Sequence, residues 1–387
     1  MKGGTVMFKT AVGHSEYFDA KDAAEELFAQ CEAALGGAKP SAGMLFAAPS
    51  CEYADLLKLV NARYEGLELI GATSDGEISS CGAFKEDSSL LVLFASDEVE
   101  IKAGIGTGAS NDTKAAARNA LQAAREGMAK PAALCVALPD VTSMNGVHLA
   151  DCLNEEAGEG TVIIGGGASA QGGVKKTFQF HKNDIFTDSI AVLIFSAPLK
   201  FSFGAASGWK AVGNRKTVTR SQRNIIHEID SKPASEFYSN YFDCNTGVLG
   251  GEFPMLIFEE GESVPYIRAV IQVDCGGGTI KAAGDVKEGT SVQFAEAGRD
   301  EIIDGARESI EMAVKNFNGR PELLLVFSCA ARKNILGTKT GLEFETLKNA
   351  APRIAGFYTY GEIGPLGPGK PSKFHNATII TLLMGVD

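Results

Sequence analysis

An α/β fold built from repeated strand–helix–strand units forming mixed sheets is predicted by two features of the sequence. First, short apolar runs end in glycine and small polar residues, with amphipathic stretches between them. Second, the order recurs. Gly71-Ala-Thr-Ser-Asp-Gly-Glu-Ile78 matches Gly356-Phe-Tyr-Thr-Tyr-Gly-Glu-Ile363 at both glycines, the glutamate and the isoleucine. Strand-to-glycine junctions also follow residues 161–164, so the spacing predicts three related units and an internal duplication within a two-domain chain.

The elements follow in order. Asp19–Leu35 reads as a helix that keeps Leu27, Phe28, Cys31, Ala34 and Leu35 on one face and stops at Gly36-Gly37. Strand Met44–Ala48, helix Glu52–Tyr64 and strand Leu67–Ile70 lead into the Gly71 turn, and further strands read at 89–95 and 99–106. The second unit repeats this with helix Asp112–Met128, strand Ala133–Leu138, helix Met144–Glu155 and strand Thr161–Ile164. It then enters the glycine-rich run Gly165–Gly173, and strands at 189–195 and 199–205 follow. A different segment begins past a domain boundary near Gly208–Gly213. Lys216–Thr219 and Ile225–Ile229 read as strands, and Asp230–Tyr238 as the start of a helix with Pro233 in its first turn. Met255–Phe258, Ile267–Val273 and Thr279–Ala283 form a small antiparallel sheet, turned at Gly276-Gly277-Gly278. Asp300 is the expected N-cap of a helix with Ile302, Ile303, Ala306, Ile310, Ala313, Val314 and Phe317 on one face. The third unit then closes with apolar runs at 323–327 and 379–384.

The 387 residues carry a net charge of −12, which argues against nucleic acid or an anionic membrane as partner. No apolar run reaches 18 residues and the N-terminus lacks a signal-peptide core, so neither membrane insertion nor secretion is expected. The eight cysteines form no CxxC pair and no zinc-spaced cluster, which predicts reduced thiols, no metal site and a cytoplasmic location.

The segments Asp230-x-x-Pro233-Ala234, Tyr266-Ile-Arg268, Phe327–Arg332, Gly356–Ile363 and Phe374-His375-Asn376 together resemble the FIST family. The stretches Gly71–Ile78 and Gly165–Gly167 resemble its N-terminal domain. The resemblance implies a FIST N-terminal domain over 20–208 and a FIST C-terminal domain over 214–387. It also implies a sensory role in intracellular signal transduction, with a small ligand such as an amino acid or derivative. With no kinase signature or F-box in the chain, a separate partner such as a histidine kinase would carry the output. The resemblance allows haem as a cofactor in a gas-sensing member, although nothing in the sequence requires one. Five histidines are present and no CxxCH motif, so any haem would be held non-covalently.

The expected ligand site lies where polar motifs meet strand ends. Arg332 can grip a carboxylate by two parallel hydrogen bonds, or pair structurally with Glu362 or Glu343. Cys329 beside it is either an activated thiol or an unreactive buried one. With His375 as base it gives the alternative reading, a cysteine-dependent hydrolase or transferase. Tyr358 and Tyr360 can wall a pocket or pack a core. Glu77 and Glu362 can accept backbone N–H groups or receive a ligand ammonium. Gly71, Gly76, Gly356 and Gly361 supply backbone freedom; Gly166, in the run Gly165–Gly167, lines the pocket as the second unit's counterpart of the Gly71 loop, and Asn376 completes the set.

Overall fold

The computed structural model describes residues 7–171, 176–239, 241–242, 252–260 and 264–387. Gly172, Gly173 and Cys244 therefore lie outside the described residues. The first unit runs β1 (Phe8–Ser15), α1 (Ala20–Leu35), β2 (Ala42–Ala47), α2 (Tyr53–Arg63), β3 (Glu68–Thr73), β4 (Glu77–Ser79), β5 (Ala83–Lys85) and β6 (Ser89–Ser96). The second runs β7 (Ile101–Thr107), α3 (Thr113–Arg125), β8 (Ala132–Pro139), α4 (Gly146–Ala157), β9 (Val162–Gly166), β10 (Gln179–His181), β11 (Asp184–Phe186) and β12 (Ser189–Ser196). The third opens with β13 (Lys200–Ala206) and is then interrupted by an insert. The insert comprises β14 (Lys210–Gln222), β15 (Ile225–Ile229), β16 (Lys232–Pro233), α5 (Glu236–Ser239), β17 (Met255–Phe258), β18 (Tyr266–Arg268), β19 (Val270–Asp274), β20 (Thr279–Ala282) and β21 (Ser291–Glu296). The unit resumes with α6 (Arg299–Asn316), β22 (Arg320–Cys329), α7 (Ala330–Leu336), α8 (Gly341–Leu347), β23 (Ile354–Thr359), β24 (Glu362–Pro365), β25 (Ser372–His375) and β26 (Ile379–Val386).

Each unit keeps four strands and gives a hairpin away. The sheets are ordered β1-β6-β2-β3-β10-β11, β7-β12-β8-β9-β24-β25 and β13-β26-β22-β23-β4-β5. Unit one's hairpin completes sheet three, unit two's completes sheet one, and unit three's completes sheet two. The exchange is cyclic. Equivalent glycines permit it. A Cβ on Gly71, Gly165 or Gly356 would stand 2.0, 1.9 or 2.0 Å from the carbonyl oxygen of Leu45, Ala137 or Val326. Opposite these glycines sit Phe180, Ile363 and Ile78 of the incoming hairpins. The sheets are mixed, with β2–β3, β8–β9 and β22–β23 parallel and the other pairings antiparallel. The duplication read from the Gly71 and Gly356 turns is thus a real correspondence of strand, turn and hairpin.

The inner faces of the three sheets meet in one apolar core, from Phe8, Met44 and Phe94 through Val136 and Phe195 to Phe327 and Leu382. Ring pairs cross the unit borders: Phe46 stacks on Phe357 at 4.5 Å and Phe94 meets Phe195 edge-on at 5.2 Å. Helices cover the outer faces, with α1 and α2 over sheet one, α3 and α4 over sheet two, and α6 with α8 over sheet three. Strands buried on both faces read as continuous apolar runs, which is why they were visible in the sequence.

The insert forms its own eight-stranded sheet over a separate core containing Ile226, Tyr238, Met255 and Phe294. Several local expectations change. β1 is a buried strand, where the sequence reading began only at Asp19; its mixture of Thr, Gly, His and Ser hides it. Pro233 lies in the edge strand β16, where a missing N–H costs nothing, rather than in a helix. The α6 cap is Gly298, closed by Glu301 Oε2, and Asp300 lies in the first turn. Val314 faces solvent. The boundary expected near 208–213 falls after β13, a strand of the third sheet. Cys275 is disulfide-bonded, whereas Cys31, Cys51, Cys81, Cys135, Cys152 and Cys329 are free.

Candidate functional site

The three exchanged hairpins leave their strands through turns that meet at one point. Asp75 N donates to Tyr358 O, Ser169 N to Thr73 O and Tyr360 N to Gly167 O, which closes a ring of equivalent hydrogen bonds. Gly76 and Gly361 take φ of +100° and +97° here, a left-handed turn that glycine allows. A Cβ on them would strike Phe84 and Phe374, and one on Gly166 would strike Thr359. Lys333 Nζ binds Asp75 at 2.8 Å and Glu86 at 2.7 Å beside this ring.

Around it lie three matched polar positions. Glu77 accepts from the hydroxyls of Ser74 and Ser88. Glu362 accepts from Thr359 Oγ1 at 2.6 Å and Thr378 N at 3.1 Å. Gln179 occupies the same register in the third case and accepts from Ser189 Oγ at 2.8 Å. Both carboxyls are fully buried, and desolvation raises each to about 8. They are therefore largely protonated at neutral pH.

The residues expected near the C-terminus divide among separate packed environments. The Arg332 guanidinium is fully buried. It donates to Glu343 Oε1 at 2.7 and 3.0 Å, Ile302 O at 2.8 Å, Ser328 Oγ at 3.2 Å and Ser207 O. Tyr358 O–H donates to the other Glu343 oxygen at 2.8 Å. Arg332 thus joins α6, α7, α8 and β22 and presents no free fork to a carboxylate. Tyr360 is half-buried and donates to Ala170 O. Asn376 Oδ1 accepts from Ala269 N at 3.3 Å, tying β25 to the insert.

Cys329 and His375 do not form a nucleophile–base pair. The thiol lies against Glu362, and burial followed by that neighbour pushes its pKa far up. His375 is fully buried, with Nε2 3.3 Å from Gly364 O and Nδ1 unpartnered among the described residues; burial lowers it to about 3. Such a thiol stays protonated and unreactive. In the native protein, alkylation followed by peptide mass spectrometry should modify exposed Cys81 long before Cys329. Equal rates for the two, with Cys329 reacting below pH 7, would restore the nucleophile reading.

A large open cleft lies elsewhere. A cleft of about 730 Å³ separates the turns before α3 and α4 from the β15–β20 side of the insert. Asp112 caps α3 through Ala115 N at 2.9 Å, and Asn145 caps α4 through Val147 N at 3.0 Å and His148 N at 3.2 Å. Asn145 Nδ2 also donates to Asp285 Oδ1 at 2.6 Å across the cleft floor. Arg223 and Lys281 stand on the insert side, and neither has an ion-pair partner among the described residues.

A family model for the FIST N domain matches residues 41–232, and one for the FIST C domain matches 234–365. The chain belongs to the FIST family. Its domains mark it as a sensory signal-transduction protein. A 76-residue segment is 30% identical to an uncharacterised protein of Methanocaldococcus jannaschii, covering 20% of this chain and 15% of that relative. The chain therefore spans far less than two thirds of it. Among solved structures, a cyanuric acid hydrolase from A. caulinodans is similar at 11% identity, over 52% of this chain and 72% of that one, with a TM-score of 0.28. Another cyanuric acid hydrolase, described as an evolutionary innovation by structural concatenation, is similar at 7% identity over 98% and 100%, with a TM-score of 0.36.

In this FIST protein the cleft joins the FIST N segment to the FIST C segment, so its residues come from both. Sequence reasoning missed Arg223, Lys281, Asn145 and Asp285, which carry no local motif. His148 also lines the cleft, 3.6 Å from Cys152 Sγ. A haem needs an apolar slot around its axial imidazole. The walls beside His148 are hydroxyls, amides and carboxylates from Ser110, Asn111, Asp112, Ser143 and Asn145, so this cleft does not fit one. Among the described residues no His/Cys/Asp/Glu group is placed to hold a metal ion, and no helix is long and apolar enough to cross a membrane.

Proposed function

We propose that this FIST protein binds a small polar ligand, such as an amino acid or derivative, in the cleft between unit two and the insert, and passes the signal to a separate partner protein. The observation that supports this is the cleft itself: about 730 Å³, polar, with Arg223 and Lys281 at its edge and neither ion-paired among the described residues. That volume suits a metabolite-sized molecule. A ligand that touches both walls favours the arrangement in which they are close, and a partner need only distinguish that arrangement from the open one.

Screening a metabolite library by thermal unfolding tests the reading. A true ligand should raise the midpoint with increasing concentration, as expected for binding to the native state alone. Replacing Arg223 and Lys281 together with alanine should abolish most of that rise while leaving the ligand-free midpoint within a degree or two. A rise unaffected by the double replacement would place the ligand elsewhere.

A further inference from the structure

Beneath the cleft wall lies a buried guanidinium whose charge Glu259 and Asp285 offset only from a distance. Arg268 is 2% exposed, yet no carboxylate stands within ion-pair distance of it among the described residues. Its Nη1 donates to Phe374 O at 2.5 Å and its Nε to Asp285 O at 3.4 Å. Tyr266 and Phe374 turn their rings toward it, at 4.7 and 5.8 Å from centroid to Cζ. Carbonyl dipoles and ring faces solvate a guanidinium but leave its net charge intact. That charge lies directly behind Gly284, a cleft residue: a Cβ there would stand 3.1 Å from Arg268 Nε.

The acids nearby keep their charge, but each already accepts hydrogen bonds from the protein. Asp112 caps α3, Asp285 accepts from Asn145, and Asp188 accepts from Ser110 N at 2.7 Å and from the Ser110 and Ser143 hydroxyls. Against them stand Arg223 and Lys281 at the rim and Arg268 behind the wall. The two capped helix starts add partial positive charge on the same side. Arg268 is buried, so its field crosses the thin wall at Gly284 with less screening than a charge in bulk water would meet.

We propose that the cleft selects a small organic anion, whose carboxylate or phosphate group is held by Arg223 and Lys281 over the field of Arg268. This rests on the cleft being the ligand site and adds the charge of what enters it.

The test is thermal unfolding at fixed ionic strength with matched pairs: di- and tricarboxylates against their amides, and phosphate esters against the free alcohols. Carboxylates and phosphates are expected to stabilise the protein in a saturable way, and the uncharged partners are not; the two arms show which anionic group is preferred. R223A/K281A should weaken anion binding at least tenfold, and R223K/K281R, which keeps the charge, should retain most of it. R268Q, if it folds, should weaken it further. Equal stabilisation by the uncharged partners, lost in R223A/K281A, would overturn the anionic assignment while keeping the cleft as the site. If no member of either class stabilises the protein, or if stabilisation persists in R223A/K281A, both proposals fall.

Discussion

Replacing Arg332 with alanine is expected to destabilise the protein by about 3–5 kcal/mol, the cost of leaving a buried charge without its partner. The guanidinium is the main counterion of Glu343, which is fully buried. Without it the Glu343 carboxylate retains the Tyr358 hydroxyl and little else. Ile302 O, Ser207 O and Ser328 Oγ lose a donor together. Lysine should rescue only in part, because one ammonium cannot reproduce a planar fork with several acceptors in fixed directions. A double replacement R332M/E343L should be less damaging than R332A, since it removes both charges. Denaturant unfolding measures all three. A loss below about 1 kcal/mol for R332A would show that the pair contributes little.

The second large effect is a fall in stability on the alkaline side of neutrality. Glu77 and Glu362 have folded values of about 8 against ordinary values of 4.5. Between those limits the native state holds two protons that the unfolded chain has released. Stability therefore falls as pH rises from about 4.5 to 8, each proton contributing up to about 1.4 kcal/mol per pH unit. His14 and His375 act oppositely. Burial lowers them to about 4 and about 3 from 6.5, so their contribution grows as pH rises toward 6.5 and is constant above it. The two effects largely cancel between pH 4.5 and 6.5. Above 6.5 only the glutamates remain, and the decline should steepen up to pH 8. Gln179 holds the third equivalent position with its Oε1 hydrogen-bonded and its Nε2 without a partner among the described residues, so the fold accommodates a neutral amide there. E77Q/E362Q should therefore keep the fold and flatten the limb in melts from pH 6.5 to 8, below the range in which the buried thiols add to the decline. An unchanged limb in that variant would mean that other groups titrate.

Much of the architecture was legible because its signals are local. The Gly71 and Gly356 turns share glycines at the positions where a Cβ would meet a carbonyl or a phenyl ring, so the sequence repeats where the geometry repeats. Unit two was harder to read because Gln179 replaces the glutamate and Ala170 replaces the turn glycine, leaving the strand–helix order as the signal. The hairpin exchange was not legible, since β4 pairs with a strand some 280 residues away and nothing near Glu77 records its partner. Arg332 was readable only as an ambiguity: a carboxylate of Glu343 and one of a ligand make the same chemical demand. The cleft was invisible because Arg223 and Lys281 look like ordinary surface charges until unit two is brought against them.

The cyclic exchange of hairpins also sets an order of events during synthesis. When β4 and β5 emerge from the ribosome, the sheet that will receive them has not been made; its β23 ends only at Thr359. Sheet two likewise waits for Glu362–His375 before it acquires its outer edge. Sheet one can close once β11 has been made, but unit one's own hairpin must wait for β23 and sheet two for β24 and β25, so neither of the first two units finds all its partners until the third has been made. Such distant pairing makes for slow folding and leaves exposed strand edges in the meantime, which gives a chaperone a defined interval in which to act.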